Sequence, residues 1–495
     1  MSSPDPIGPA PAASRRGGFV GTPIQGLADW LGGFHPRSVP APSRKNFRRE
    51  LTAGVFLPFA LTAVEGAVIA VIVRIGFEGR VAEAPLEYAA GLLAVIPALA
   101  NITSFLWVRR SHGADKVRFI TTLQTLVLID VALIALLPRT AVGLWLLVAQ
   151  VLLARVCWAG IITLRSTVWR QNYPTGTRAR LTGRFAAVQV LMIALLGWAL
   201  GKAQDFSPDA FRIMYPIAAV LGLMGVLQWR RVRVRGHKAL RKHELETPPK
   251  EGPSLNPLAM IGTLRRDRRF AVFMLCQFLL GMGNIMAMAV IALVQRDRFD
   301  LINEVSLLIT SSVPLALMPM VIPLWAKALD GTHIVHFRAV HSWVFVAALG
   351  CFAAAAFIGL GPSDDAATSV GAWAMALLFL GAVFRGIAFG GGVLAWTLGH
   401  LDFAPPERAS QNMGVHVTLT GVRGLLSWLF GVSMYRVLED AMPGKGGAWM
   451  FVICGLIAAV GAIGFCWMSV WFKRHGVPAK HTSEPEPAPP SRVGV

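Results

Sequence analysis

Charge is what this chain has least of. Only 15% of its 495 residues are Asp, Glu, Lys or Arg, against roughly 25% in soluble domains. Hydrophobic residues make up 54%, and the mean hydropathy is +0.55. That balance excludes an ordinary soluble globule and implies an all-α integral membrane protein. Acids are the scarcer sign, 27 against 47 Lys and Arg, for a net charge of +20. In a soluble chain such an excess would point to nucleic acid. Here the basic residues sit in short segments between apolar runs, where they report topology instead, so no nucleic-acid partner is expected. Cysteine is nearly absent: Cys157, Cys276, Cys351, Cys454 and Cys466 all lie in apolar runs with no C-x-x-C spacing, which excludes a disulfide framework or a zinc site. A secretory signal pattern is also lacking. The first long apolar run begins near Leu51 and is too long for an h-region of about 7–15 residues.

What is present is a series of apolar runs, each near the roughly 20 residues that a spanning helix needs. Six lie at Leu51–Gly76, Leu86–Trp107, Val117–Leu137, Ala141–Leu164, Phe185–Gly201 and Phe211–Trp229. Six more lie at Phe270–Val294, Val305–Trp325, Trp343–Leu360, Ala372–Trp396, Met413–Met434 and Ala448–Phe472. The organisation predicted is a disordered tail over 1–46, a six-helix half over 47–229, a basic linker over 230–269, a second six-helix half over 270–474 and a disordered tail over 475–495. Pro248, Pro249, Pro253 and Pro257 discourage one continuous helix in the linker. In the first tail Ile24, Leu27, Leu31 and Phe34 share one helical face, the pattern of a short interfacial helix.

The two halves repeat each other. Arg155, Gly160, Tyr173 and Arg178 are matched, at one constant offset, by Arg385, Gly390, Phe403 and Arg408. Trp107, Gly113, Val117 and Phe119 are matched, at a second and shorter offset, by Trp325, Gly331, Val335 and Phe337. The loop Gly361–Thr368 absorbs most of the difference. Internal repeats in a polytopic membrane chain mark secondary transporters, whose substrate sites lie near the bilayer midplane between repeats.

Basic residues cluster on one side, at Arg44–Arg49, Arg109–Arg118, Arg170–Arg184, the linker and Lys473–Arg474. The opposite loops carry acids such as Glu78, Glu83, Asp205, Asp209, Asp364 and Glu439. By the positive-inside rule both ends and the linker are cytoplasmic, in an inner or plasma membrane.

Two six-span halves, a basic linker and both ends inside resemble the major facilitator superfamily over about Arg48 to Arg474. That family carries G-x-x-x-D-[RK]-x-G-[RK]-[RK] in the loop after the second span of each half. The corresponding loops read W-V-R-R-S-H-G-A-D-K-V-R from Trp107 and W-A-K-A-L-D-G-T-H-I-V-H from Trp325. Both keep a Trp, a basic residue and a Gly, and only the second keeps an Asp in place, Asp330. The resemblance implies gating roles for Trp107, Gly113, Asp115 and Lys116, and for Trp325, Asp330 and Gly331. Arg155 with Gly160 also resembles the fourth-span motif of drug/proton antiporters, with the gap one residue longer. The family fold would put the first, fourth, seventh and tenth spans around a central cavity.

Arg155 stands near the middle of its run, where a charge costs roughly 2.5–3.5 kcal/mol on insertion scales and therefore faces a cavity or a partner. Counting about 1.5 Å per residue puts Glu65 at a similar depth, so the two can meet as an ion pair or a proton-coupling pair. Gln277, Asn284, Arg385 and Arg423 lie at comparable depths and are candidates for the substrate cavity. His416 is nearer the linker side, and Asp130 reads as structural. With more arginines than acids at this depth, an anionic solute fits, since guanidinium groups grip carboxylates bidentately. Permanent helix-to-helix ion pairs are the competing account. Small residues at Gly386, Gly390–Gly392, Gly414, Gly421 and Gly424 suit helices that approach closely. Trp107, Trp169, Trp325 and Trp471 suit belt anchors.

The function expected is secondary active transport of a small organic, preferably anionic, solute by a monomer in the lipid bilayer, with a proton gradient as driving force and no cofactor or metal. Alternatives are multidrug efflux, a non-transporting membrane scaffold, and a membrane enzyme built on His400, Asp402 and Glu407. The enzyme is disfavoured because the first half has no such cluster at the repeat position.

Overall fold

The computed structural model describes residues 32–476 apart from 66–67, 70–72, 74–75, 247–258, 300, 302–304, 307, 360–368 and 405–407. The interfacial segment at Ile24–Leu31, the linker prolines, the loop around Gly361, Glu407 and the last tail lie outside the described residues. In the first half, α1 (Arg44–Ala63), α2 (Glu83–Ile102), α3 (Ser104–Arg110), α4 (Lys116–Ile134), α5 (Ala141–Asn172), α6 (Thr175–Phe206) and α7 (Phe211–Trp229) follow one another. The linker holds α8 (His237–Glu246) and α9 (Ala259–Arg266). The second half is α10 (Arg268–Phe299), α11 (Val313–Gly331), α12 (Ile334–Ile358), α13 (Ser369–Leu398), α14 (Ala409–Ala441) and α15 (Gly446–His475).

Among the described residues ten helices are long and apolar enough to cross a membrane, eleven when the bent pair Glu83–Leu93 and Val95–Arg110 counts as one span. The remaining expected span is the first. Its opening turns are charged from Arg44 to Glu50, its helix stops at Val64, and it is described only in part between Glu65 and Phe77. The 50° bend in the second span falls between Leu93 and Val95. Pro97 accounts for it, because a proline ring clashes with the carbonyl four residues back.

These helices are apolar on both faces, as lipid requires. On α4, Leu123, Val127, Val131 and Ile134 are buried while Leu126, Ile129 and Leu133 are about half exposed. An outward leucine stripe of this kind would be a liability in water and is the ordinary surface in hydrocarbon. Buried apolar residues fall into two clusters. One is confined to the first half; the other fills the second half and takes in Trp169, Tyr173 and Phe185 from the first.

The halves meet chiefly where α2 packs on α14 and α6 on α11. Gly421 permits the first crossing: a Cβ there would stand 2.6 Å from the Ala98 carbonyl oxygen and 2.7 Å from the Ile102 nitrogen. The start of α1, the end of α5 and the linker share one side, with Ser43 donating to the Asn172 carbonyl at 2.9 Å and Asn46 to the Arg233 carbonyl at 2.8 Å.

Candidate functional site

Helix α1 ends in tightened bonds, Val64 N–H to the Leu61 carbonyl and Glu65 N–H to the Thr62 carbonyl, and the Glu65 carbonyl then accepts from Ile69 at 2.8 Å. Glu65 thus occupies a break in the first span. Its carboxylate Oε2 lies 3.0 Å from Nη2 of Arg155 on α5, with the arginine side chain 9% exposed and the glutamate 35%. The arginine is buried, and the acid is about one-third exposed.

Arg385 does not repeat this arrangement. The Trp107 indole donates to the Val156 carbonyl at 2.8 Å, and Trp325 donates to the Ile387 carbonyl at 2.9 Å. Gly160 lies against Trp107 and Leu123, and Gly391 against Trp325 and His341. Val156 therefore pairs with Ile387 and Gly160 with Gly391, both at an offset one residue longer than the step from Arg155 to Arg385. One residue turns a helix by about 100°, so Arg155 corresponds in place to Gly386. Arg385 instead stacks on Phe389, its guanidinium carbon 5.1 Å from the ring centroid.

A cavity of about 270 Å³ opens inside the second half. It brings together three of the expected residues, Gln277, Asn284 and Arg423, and adds Arg338 from α12. Arg385 does not line it, nor does any described residue of the first half. Arg423 Nη1 donates to the Gln277 carbonyl at 2.9 Å across the groove left by Gly281, where a Cβ would run into the guanidinium. Arg338 Nη1 lies 3.1 Å from His341 Nδ1, and His341 Nε2 lies 2.8 Å from the Ala388 carbonyl. A carbonyl only accepts, so Nε2 carries a hydrogen and Nδ1 is left to accept from the arginine. Leu280, Met318, Phe345, Phe389, Val393 and Trp396 supply the apolar wall. No carboxylate among the described residues lines the space, although desolvating each cation costs several kcal/mol.

The two loops expected to gate differ from each other. Asp330 reaches across to the second turn of α6, accepting from Ala179 N–H at 2.7 Å and Arg180 N–H at 3.0 Å, with Arg180 Nε at 3.1 Å. Gly331 ends α11 beside it. The first loop is held by the linker instead. Glu244 of α8 accepts from Gly113 N–H and from Lys116 Nζ, both at 2.7 Å, and Leu245 covers Gly113, whose φ of +71° suits glycine. Asp115 caps α4 through Arg118 N–H at 3.0 Å. Other bonds joining the halves lie on the same side: Ser104 to the Gly414 carbonyl at 2.8 Å, Thr167 with Ser410, and Arg170 to the Leu401 carbonyl.

Several expectations shift. Trp107, Trp325 and Trp169 are packing residues and not belt anchors; Trp169 is buried and donates to Glu50 at 2.6 Å. Asp402 caps α12 through Ile334 N–H at 2.9 Å, and no cluster of three His, Cys, Asp or Glu able to hold a metal occurs among the described residues. His416 is buried beside Trp396, and Asp130 is buried in the third span. Arg338, which sequence reasoning missed, stands in the first turns of its helix, where an arginine reads as a helix-end residue reaching for the interface.

No protein-family model matches the chain, and no curated protein matches it by sequence. Solved structures do. It is similar to the proton:xylose symporter XylE bound to 6-bromo-6-deoxy-D-glucose, with 13% identity and a TM-score of 0.62, over 88% of this chain and 96% of that one. A bacterial homologue of the iron transporter ferroportin in an outward-facing state matches at 12% and 0.61, over 86% and 99%. The Escherichia coli fucose:proton symporter FucP matches at 12% and 0.59, over the same shares. With ten or eleven spans among the described residues, an α2–α14 and α6–α11 interface and these likenesses across nearly the whole length, the chain has the major facilitator superfamily fold.

Proposed function

We propose that this chain is a secondary active transporter of an inner or plasma membrane, with both ends and the linker cytoplasmic, moving a small organic anion with a proton by alternating access. The observation that carries this reading is the Glu65–Arg155 pair, set at a helix break with its acid partly exposed. A proton on Glu65 discharges the carboxylate and loosens its hold on Arg155, so the packing of the first span on the fourth differs between the two protonation states. Only such a differential interaction can shift an equilibrium between two arrangements. The halves are bonded to each other on the linker side, the arrangement of a carrier closed towards the cytoplasm. Rocking breaks those bonds and opens that side. The cations Arg338 and Arg423, with no acid among the described residues of their cavity, favour an anion and count against cationic drugs.

The test uses purified protein in liposomes with an acid exterior and a panel of labelled organic anions. Wild type accumulates its solute under the gradient. Glu65→Gln exchanges solute across the membrane but no longer accumulates it, a loss of about tenfold or more. Equal gradient-driven accumulation by the variant would remove Glu65 as the proton carrier, and no uptake by wild type of any anion would remove the transport reading.

A further inference from the structure

The cavity inside the second half carries more than a preference of sign. Arg338 and Arg423 are 2% and 6% exposed, and Gln277 is 5% exposed. Each keeps a polar atom without a partner: Nε of both arginines and Oε1 of Gln277. Each guanidinium is already tied by its Nη1, one to His341 and one to the Gln277 carbonyl, so their orientations are set before any ligand arrives. Two fixed cations with spare donors and no carboxylate make a seat for one anion.

The remainder of the wall says which kind. Phe345, Phe389 and Trp396 are aromatic, and Met318, Leu280 and Val393 are apolar. A hydrated inorganic ion would leave this surface facing nothing. The volume of about 270 Å³ lies just under the roughly 300–1,000 Å³ of ordinary small-molecule pockets, so the body is small.

We infer that this cavity binds a small monocarboxylate with an aromatic or compact apolar body, its carboxylate taken by Arg338 and Arg423 and its body by Phe345, Phe389 and Trp396. As the solute seat of a carrier it rests on the transport reading, and it divides the labour: the first half holds the coupling pair, the second half the solute. Gly281 is a positioning residue, because only a missing side chain there lets Arg423 reach the Gln277 carbonyl.

The experiment is calorimetric binding to the full-length protein in detergent, with benzoate as the probe and benzyl alcohol, chloride and phosphate as comparisons. Benzoate binds. The neutral analogue does not, and the inorganic ions bind at least about tenfold more weakly. Arg423→Gln weakens benzoate by about tenfold or more, and Gly281→Ala does the same while keeping the charge. Because the glycine variant retains every cation, its loss is not a loss of net charge, and it serves if Arg423→Gln fails to fold. Chloride or phosphate binding as tightly as benzoate would overturn the class of ligand. Benzoate binding unchanged in Gly281→Ala and Arg423→Gln, or absent from wild type, would overturn the site. Absent binding with gradient-driven uptake of another anion intact sinks this inference and leaves the transport reading. Binding that follows the variants, in a protein that transports nothing, does the reverse.

Discussion

The loop after the second span and the loop after the eighth carry the same two landmarks, Trp107 with Gly113 and Trp325 with Gly331, and put them to different uses. Their tryptophans do the same thing, each donating to a carbonyl of the fourth or tenth span. Beyond them the loops part. Gly113 and Lys116 are bound by Glu244 from the linker helix, so the first loop is fastened to the linker. Asp330 crosses to the other half and binds two backbone N–H groups near the start of α6. A repeat thus preserves packing more faithfully than it preserves a latch. Of the polar bonds these two loops make, only those of Asp330 join the halves, although α3 at the head of the first loop also packs on α14.

The largest effect that would test this division is on stability. Lys116 and Glu244 pair with side chains 3% and 6% exposed, and removing one partner of a buried pair costs about 3–5 kcal/mol. Lys116→Met therefore lowers the thermal unfolding midpoint sharply, and Lys116→Met with Glu244→Leu recovers part of the loss. Distances between spin labels on α2 and α14 stay unchanged among the molecules that remain folded. A shift in those distances would show that the first loop reports the position of the halves after all.

Gly421→Leu acts on the other quantity. The added side chain meets Ala98 and Ile102 at the crossing of α2 and α14, and overpacking costs about 1–3 kcal/mol. That cost falls on the closed arrangement alone, so the same spin-label distances lengthen while the unfolding midpoint moves less than with Lys116→Met. Unchanged distances would mean that the crossing is not what holds this side shut.

Much of this architecture was legible in the sequence. The spans are long enough and apolar enough to be read from length, and Glu65 and Arg155 were paired by depth alone. What could not be read is rotation. Depth follows from counting residues, but the direction of a side chain turns by about 100° with each one. The match of Arg155 to Arg385 was therefore one residue out of the structural register, and Arg385 turned onto Phe389. Arg338 escaped notice for the same reason. Its position near the helix end was visible, while its inward turn depends on His341 and Ala388, on which sequence spacing is silent. Glu244 lay in a stretch read only as basic linker, and its partner Lys116 is far away along the chain.

The latch itself is predicted to respond to Asp330→Ala by about 1 kcal/mol, the usual net worth of a hydrogen bond, read as a partial lengthening of the same distances. The smallest effect discriminates what kind of latch it is. Asp330 makes two bonds to backbone N–H groups of α6 and one contact to the Arg180 side chain. The aspartate side chain is 5% exposed and the arginine 51%. A half-exposed guanidinium is screened by water and salt, and such pairs are worth about 0.2–1 kcal/mol. The backbone bonds are shielded, and they put a negative charge at the positive end of a helix dipole. Arg180→Ala is therefore expected to change the closed population by no more than about 0.5 kcal/mol, and raising the salt concentration should change it little in either protein. If Arg180→Ala opens the linker side as far as Asp330→Ala does, the contact is a salt bridge and the latch would weaken with ionic strength. If it does not, the latch is the pair of backbone hydrogen bonds from the opposite half, and any side chain at position 180 will serve.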